Sequence, residues 1–296
     1  MSPHHRRHDR RSFYKYLTAD AASAVLASHC LRWRSPLGFN DPFDVPRSVD
    51  LAFTPEMLLA ALEREFVRVV NSDETPADPS IRELVTLLRA NPDPVATSAV
   101  ARTMASSPLR HVIPTQLAEF REAWSALVPN LRILCLSEIH DSTLMWAHYA
   151  GAGSGAVLEF ACSDELDSAS LVARPIVYQP GLPALPGIET WVRAIFGHIQ
   201  VDWHEFLAEL YYVKGGEWSY EREWRIVSYS PLAERDGYTD MRFHPRELEA
   251  VYLGPAISET NALRFRGLCE GDCAHVRLSQ GRHDYAERKI VFDLVR

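Results

Sequence analysis

Residues 131–136 read Leu131-Arg132-Ile133-Leu134-Cys135-Leu136, a nearly unbroken apolar run of strand length. A strand with one wet face alternates, whereas one that is apolar at successive positions is covered on both faces. The run therefore predicts a buried strand at the heart of a sheet. After it, Asp141 or Ser142 caps a helix from Thr143 to Ala150, and Gly155 to Phe160 and Leu171 to Tyr178 read as further strands. Before it, residues 54–128 are helical. Thr54 is an N-cap with Pro55 at the first helical position, and Leu58, Leu62, Phe66 and Val69 mark one face. Pro76, Pro79, Pro92, Pro94, Pro108 and Pro114 divide the rest into three more short helices.

Further out, Ala19 to Ser28 is a short helix and Leu31 to Ser35 an alternating strand, ended by Pro36 and Gly38. Ile188 to Val213 reads as one long amphipathic helix stopped by Gly215-Gly216. Strands follow at Glu223 to Tyr229, Met241 to Phe243, Ala250 to Leu253 and Lys289 to Leu294, with a helix from Ser258 to Leu268. This order is not a regular β-α-β alternation. It predicts an α+β class with a central mixed or antiparallel sheet. The expected organisation is a flexible basic tail over residues 1–12 and a single domain over 13–296, with a helical insertion at about 54–128.

The chain has 296 residues, 47% hydrophobic and 24% charged, ordinary for a packed protein. Its formal net charge of −8 does not advertise a nucleic-acid footprint, although a local basic patch exists in Arg6, Arg7, Arg10 and Arg11 with His4, His5 and His8. A nucleic-acid partner is therefore not excluded. No apolar run approaches the ~20 residues of a membrane helix, and no signal peptide is read, so no membrane partner and a cytoplasmic location are expected. The five cysteines are Cys30, Cys135, Cys162, Cys269 and Cys273. With no second close pair and no histidine pair beside Cys269 and Cys273, no metal site is expected.

The chain holds no P-loop, HExxH or GxSxG. Gly151-Ala152-Gly153-Ser154-Gly155-Ala156 mimics a dinucleotide fingerprint, but a helix precedes it and a strand follows, the reverse of what that fingerprint needs. The polar chemistry lies in four segments. In Tyr14-Lys15-Tyr16 the tyrosines share one face of a strand and Lys15 takes the other. They are either half-buried sheet residues or ring-holding phenols. Arg32, Arg34, Ser35, Asn40, Asp41 and Asp44 follow. The arginines suit phosphates, and Asn40-Asp41-Pro42 equally suits a self-capped turn. In Leu144-Met145-Trp146-Ala147-His148-Tyr149, Met145, Trp146 and Tyr149 share one side, and Leu144 and His148 another. His148 is either a structural histidine or a site residue. Finally, in Tyr220-Glu221-Arg222-Glu223-Trp224-Arg225, a strand beginning near Tyr220 directs Glu221, Glu223 and Arg225 the same way. That is either an acid/base pair or an ion-pair ladder.

Taken in order, Phe13-Tyr14-Lys15-Tyr16, Ser35-Pro36, Phe39-Asn40-Asp41-Pro42-Phe43-Asp44, Cys135-Leu136-Ser137, Met145-Trp146-Ala147-His148-Tyr149 and Tyr220 to Arg225 resemble the bacterial domain-of-unknown-function 2971 family over roughly residues 13 to 295. The order of elements also resembles the ADP-ribosyltransferase fold, a split sheet. Glu221-Arg222-Glu223 is similar to the E-x-E or Q-x-E pattern of its arginine-directed members, although Tyr-Lys-Tyr stands where many members have His or Arg. This resemblance implies NAD as substrate and Glu223 as the catalytic carboxylate, with Glu221 orienting the acceptor. It also implies Tyr14, Tyr16 and Tyr149 around the nicotinamide, Arg34 and Lys15 on phosphates, and His148 on ribose, with Ser35, Asn40 and Arg225 in the same site. The acceptor macromolecule is open, and the context would be a toxin, effector or defence component. Two alternatives stand beside it. One is a non-catalytic nucleotide-sensing or interaction module. The other is a metal-dependent nucleotide or nucleic-acid hydrolase, which needs Asp41 or Asp44 brought beside the glutamates.

Overall fold

The computed structural model describes residues 6–106, 109–181, 183, 185–230 and 237–295. In chain order the elements are β1 (Ser12–Leu17), α1 (Ala19–Ser28), β2 (Cys30–Arg34), α2 (Pro55–Val70), α3 (Pro79–Ala90), α4 (Pro94–Ser106), α5 (Leu109–Leu127), β3 (Leu131–Ser137), α6 (Thr143–Tyr149), β4 (Ala156–Ala161), β5 (Arg174–Pro175), β6 (Val177–Tyr178), α7 (Ile188–Ile195), α8 (Trp203–Glu209), β7 (Val213–Lys214), β8 (Glu223–Tyr229), β9 (Tyr238–Arg242), β10 (Leu248–Leu253), α9 (Glu259–Leu268), β11 (Arg277–Asp284) and β12 (Lys289–Leu294). The fold is mixed α/β around one large mixed sheet. The chain divides into two compact units. One takes the described residues up to Val45, Val128–Gly181 and those from Tyr211 on; the other takes Pro46–Leu127 and the described part of residues 182–210.

The first unit is the sheet. Its strand order is β12-β11-β10-β4-β1-β3-β2-β9, with β8 on β3 and β5 on β8. Pairing is antiparallel except for β10 with β11, and for the small separate β6–β7 pair. One face carries a core of Phe13, Leu158, Val251 and Leu278 packed with Leu26 of α1 and Phe265 of α9. The other face packs Tyr16, Val157 and Ile290 against Met145 and Trp146 of α6. Burial on both faces is what the run at 131–136 demanded, and five of its six residues are buried, in a strand that continues to Ser137.

The topology around β3 creates the cleft. One edge of β3 pairs with β8 along its full length, from Leu131↔Tyr229 to Ser137↔Glu223. The other edge is shared: β1 touches it only at Tyr14↔Ser137, and β2 only at Arg34↔Ile133. The two strands diverge between those points, bridged by α1, so the middle of that edge has no strand partner. A chain carbonyl left bare there costs free energy unless something donates to it. Lys15 Nζ does, reaching Cys135 O at 2.6 Å.

The second unit is helical. Leu58, Leu62, Phe66 and Val69 of α2 point inward, as their spacing predicts, and meet Val85, Ala101, Ile113, Leu117, Val192 and Phe196. Trp124, fully buried, donates its indole N–H to Pro46 O at 2.8 Å. Pro114 lies inside α5 rather than ending a helix, and Pro108 lies outside the described residues.

Several expectations change. The helix expected over 188–213 is two helices, α7 and α8. Gly197 follows α7 at φ +72°, which turns the backbone out of the helix. Leu171 to Tyr178 is a turn and two two-residue strands rather than one strand. Strand β11 has no counterpart among the predicted elements, because its exposed Arg277, Arg282 and His283 break the alternation. Residues 6–11, read as a solvated tail, are tied to the unit. Arg6 binds Asp164 and the Arg10 carbonyl, Arg7 N donates to Leu171 O at 2.9 Å, and Arg10 pairs with Glu138 at 2.8 Å. His4 and His5 lie outside the described residues. No helix among the described residues is long and apolar enough to cross a membrane.

Candidate functional site

Strand β8 and the turn before it build the floor of the site. Glu221 ends a short 3-10 turn, and Arg222 then adopts a left-handed conformation at φ 44°. That kink brings Glu221 onto the same side as Glu223 and Arg225, the first and third residues of β8. Trp224 and Ile226 point the other way into the core. The shared direction read from the sequence is therefore met, with a turn rather than a strand at Glu221.

All four groups at the centre are buried: Glu221 at 3%, Glu223 at 5%, Lys214 at 5% and Arg225 at 0% exposure. Arg225 forks onto Glu223 (Nε to Oε1, 2.7 Å; Nη2 to Oε2, 3.1 Å) and onto Asp44 (Nη1 to Oδ1, 2.7 Å; Nη2 to Oδ2, 2.6 Å), and donates to Tyr211 O at 2.8 Å. Lys214 Nζ lies 2.6 Å from Glu221 Oε2, 3.2 Å from Glu223 Oε2 and 3.7 Å from Asp44 Oδ2. Three carboxylates thus share two cations. Glu221 Oε1 accepts from the Tyr149 hydroxyl at 2.5 Å, and that hydroxyl accepts from Asn40 Nδ2 at 3.1 Å. The Glu223 amide donates to Tyr178 Oη at 2.7 Å.

These surroundings push the two glutamates apart. Burial raises the Glu223 carboxyl, but Arg225 and Lys214 outweigh burial and hold it well below the usual carboxylate range. Burial also raises Glu221. Lys214 opposes, Glu223 adds to the rise, and the carboxyl ends above its ordinary value. Burial and Glu221 push the Tyr149 hydroxyl well up. A pair of carboxyls with opposed proton affinities is the arrangement that supports acid/base assignments.

This floor opens into a cavity of about 640 Å³ in the gap between β1 and β2, within the range of small-molecule sites. Lys15, Arg34, Asn40, His148 and Tyr149 line it, and Ala21 and Ala24 of α1 give it a small-residue wall. Arg34 is exposed and makes no ion pair among the described residues. His148 is exposed at the rim, its ring 6.0 Å from that of Tyr220.

Of the residues singled out in the sequence, Glu221, Glu223, Arg225, Tyr149, Asn40, His148, Lys15 and Arg34 meet in this one place. Tyr14 and Tyr16 also border the cavity, but their hydroxyls are committed elsewhere: Tyr14 to Glu159 at 3.3 Å, Tyr16 to Ile139 O at 3.0 Å. Ser35 is buried and caps the turn that follows it, accepting from Leu37 N at 3.4 Å. Asp41 likewise serves its own turn, accepting from Phe43 N at 2.9 Å. Asp44 comes beside the glutamates as an ion-pair partner of Arg225 and Lys214. The His/Cys/Asp/Glu group with metal-ligand spacing among the described residues is Glu65, Glu74 and His198, with Arg68 across both glutamates. Lys214 was absent from the sequence reading. Its signal was rarity, since lysine occurs only at 15, 214 and 289.

No protein-family model, curated protein or solved structure matches the chain.

Proposed function

We propose that the sheet unit is an NAD-using, ADP-ribosyltransferase-like enzyme whose substrate enters the cavity between β1 and β2. One observation carries this reading: at the base of a nucleotide-sized cavity, two buried carboxyls with opposed proton affinities sit below Lys15 and Arg34, neither of which makes an ion pair among the described residues. Arg34 suits a diphosphate, Lys15 can donate to it in either protonation state, and the Tyr149 and His148 rings suit the nicotinamide end. When the bond from ribose C1′ to the nicotinamide nitrogen breaks, both electrons leave with nicotinamide and positive charge develops on the ribose. A fixed carboxylate facing that charge lowers the barrier.

The hydrogen bonds favour Glu221 for this task and Glu223 for positioning, the reverse of the roles that the resemblance implies. Both Glu223 oxygens are occupied by the Arg225 fork, and one by Lys214 as well. Each Glu221 oxygen has a single donor. Glu223 then fixes Lys214, which fixes Glu221. The test is nicotinamide release from NAD by the full chain, with label transfer to a lysate identifying the acceptor. Glu221→Gln should lower release by on the order of 10²–10³, as for other preorganised electrostatic groups. Equal release by wild type and Glu221→Gln would remove the reading.

A second reading rests on the saturation of the floor, where every glutamate oxygen already accepts from a donor. A non-catalytic nucleotide-binding module would look like this. It predicts NAD binding in equilibrium dialysis without nicotinamide release, weakened in Arg34→Gln.

A further inference from the structure

The chain carries 31 lysines and arginines, and only three are lysines: Lys15, Lys214 and Lys289. Arginine supplies most of the chain's positive charge. Two of its three lysines nevertheless border one cavity. Arginine and lysine differ in one chemical respect that matters there: lysine can lose its proton and act as a nucleophile, and guanidinium cannot.

The two cavity lysines sit in opposite surroundings. Lys214 lies within 4 Å of Glu221, Glu223 and Asp44. Burial opposes its charge, but those carboxylates prevail and keep it an ammonium. Lys15 has one hydrogen-bond partner among the described residues, the Cys135 carbonyl at 2.6 Å, and no ion pair. A carbonyl can accept from either form, more strongly from the ammonium, so this contact permits the neutral amine, and no carboxylate pairs with it among the described residues to hold the charge.

We propose that Lys15 is a nucleophilic amine that forms a reversible imine with an aldehyde or ketone ligand in the cavity between β1 and β2. Its lone pair adds to the carbonyl carbon, forming the C–N bond, and the C–O π pair moves to oxygen. Water relays one proton from the nitrogen to that oxygen to give the carbinolamine; the nitrogen lone pair then forms C=N as the C–O bond breaks, the second nitrogen proton passes through water to the departing hydroxide, and amine and carbonyl become imine plus one water. No oxidant or reductant takes part. The surroundings favour the neutral amine. Burial and the facing Arg34 lower its proton affinity, against opposing pulls from Cys135 on β3, Glu223 on β8 and Glu221. The proposal is independent of NAD and stands or falls without it.

The test uses the full chain at pH 7 with acetaldehyde as a small carbonyl probe and cyanoborohydride to trap the imine, followed by peptide mass spectrometry over the three lysines. Lys289, half exposed at the surface and 4.0 Å from Glu287, is the internal reference. A lowered proton affinity leaves a larger fraction of free amine at pH 7. Lys15 should therefore be alkylated faster than Lys289, with the ratio shrinking as pH rises, and Lys214 should stay unmodified. Lys15→Arg should remove that peptide's label and leave the Lys289 rate unchanged. Alkylation of Lys289 as fast as Lys15, or a ratio that does not change with pH, would overturn the proposal.

Discussion

Replacing Arg225 by methionine removes the side chain that neutralises most of the buried charge beneath the cavity. Four hydrogen bonds to two carboxylates go with it, two to Glu223 and two to Asp44, all between 2.6 and 3.1 Å. Methionine fills most of the volume, so the loss is electrostatic rather than a cavity. Asp44, Glu221 and Glu223 are left to share Lys214 alone. Removing one partner of a buried ion pair typically costs 3–5 kcal/mol, because the remaining charge is stranded out of water. For a unit of this size that lowers the melting temperature by on the order of 10 °C. The sign with pH separates this cause from poor packing. In the wild type Glu223 has a folded pKa below its unfolded value. Its stabilisation is present above the ordinary glutamate range and is lost as pH falls through the folded value. In Arg225→Met burial is no longer outweighed and the folded value rises. The destabilisation is then full at pH 7 and is relieved as pH falls through that raised value. Urea melts at pH 7 and pH 5 should show the gap between wild type and variant narrowing towards acid. A loss under 1 kcal/mol, or a gap equal at both pH values, would refute the charge argument.

Tyr149→Phe deletes the 2.5 Å donor to Glu221, which lowers that carboxyl's proton affinity. Stability should change by no more than about 1–2 kcal/mol. The acid limb of any Glu221-dependent activity should move to higher pH; a limb that stays fixed in the pH–rate profile would contradict the assignment. Gly155→Ala tests the fold. The new Cβ would lie 2.2 Å from Leu17 O and 2.9 Å from Ala150 O, both backbone atoms that have nowhere to go. A loss of more than about 3 kcal/mol, or failure to fold by circular dichroism, is expected, and a melt within 1 kcal/mol of wild type would refute this close backbone approach.

The fold was legible wherever burial leaves a continuous or periodic pattern. Residues 131–136 read as a buried strand because both faces are covered, and Leu58, Leu62, Phe66 and Val69 read as one helix face because they share one core. Legibility failed where local signals were overridden. Ile188 to Val213 keeps helical composition, yet Gly197 breaks it. Strand β11 is held by pairing on both edges, with β10 and β12, and not by its alternation. At the site, the common direction of Glu223 and Arg225 followed from strand spacing, whereas Glu221 joins them through the left-handed turn at Arg222. Their partners did not. Lys214 and Asp44 are far from β8 in sequence or separated by a turn, and only the fold brings them within 4 Å. Tyr14 and Tyr16 show the limit of type-based reading: residues suited to hold a ring spend their hydroxyls on Glu159 and Ile139.

The cleft and the sheet's imperfection are one feature. Had β1 continued along β3 past Tyr14↔Ser137, its backbone would have satisfied the edge and closed the gap in which the cavity lies. Because β1 leaves, the Cys135 carbonyl needs another donor. A donor that reaches across a gap must be a long side chain, and here it is Lys15, where arginine would fit less well. Arginine there would bring a permanent charge beside Arg34 and a planar fork with four further N–H groups to satisfy. Lysine satisfies one carbonyl with one N–H and can shed its charge. The defect in strand pairing therefore selects the residue whose amine is then available inside the cavity. On this account the reactivity proposed for Lys15 follows from how the sheet is split rather than being added to it.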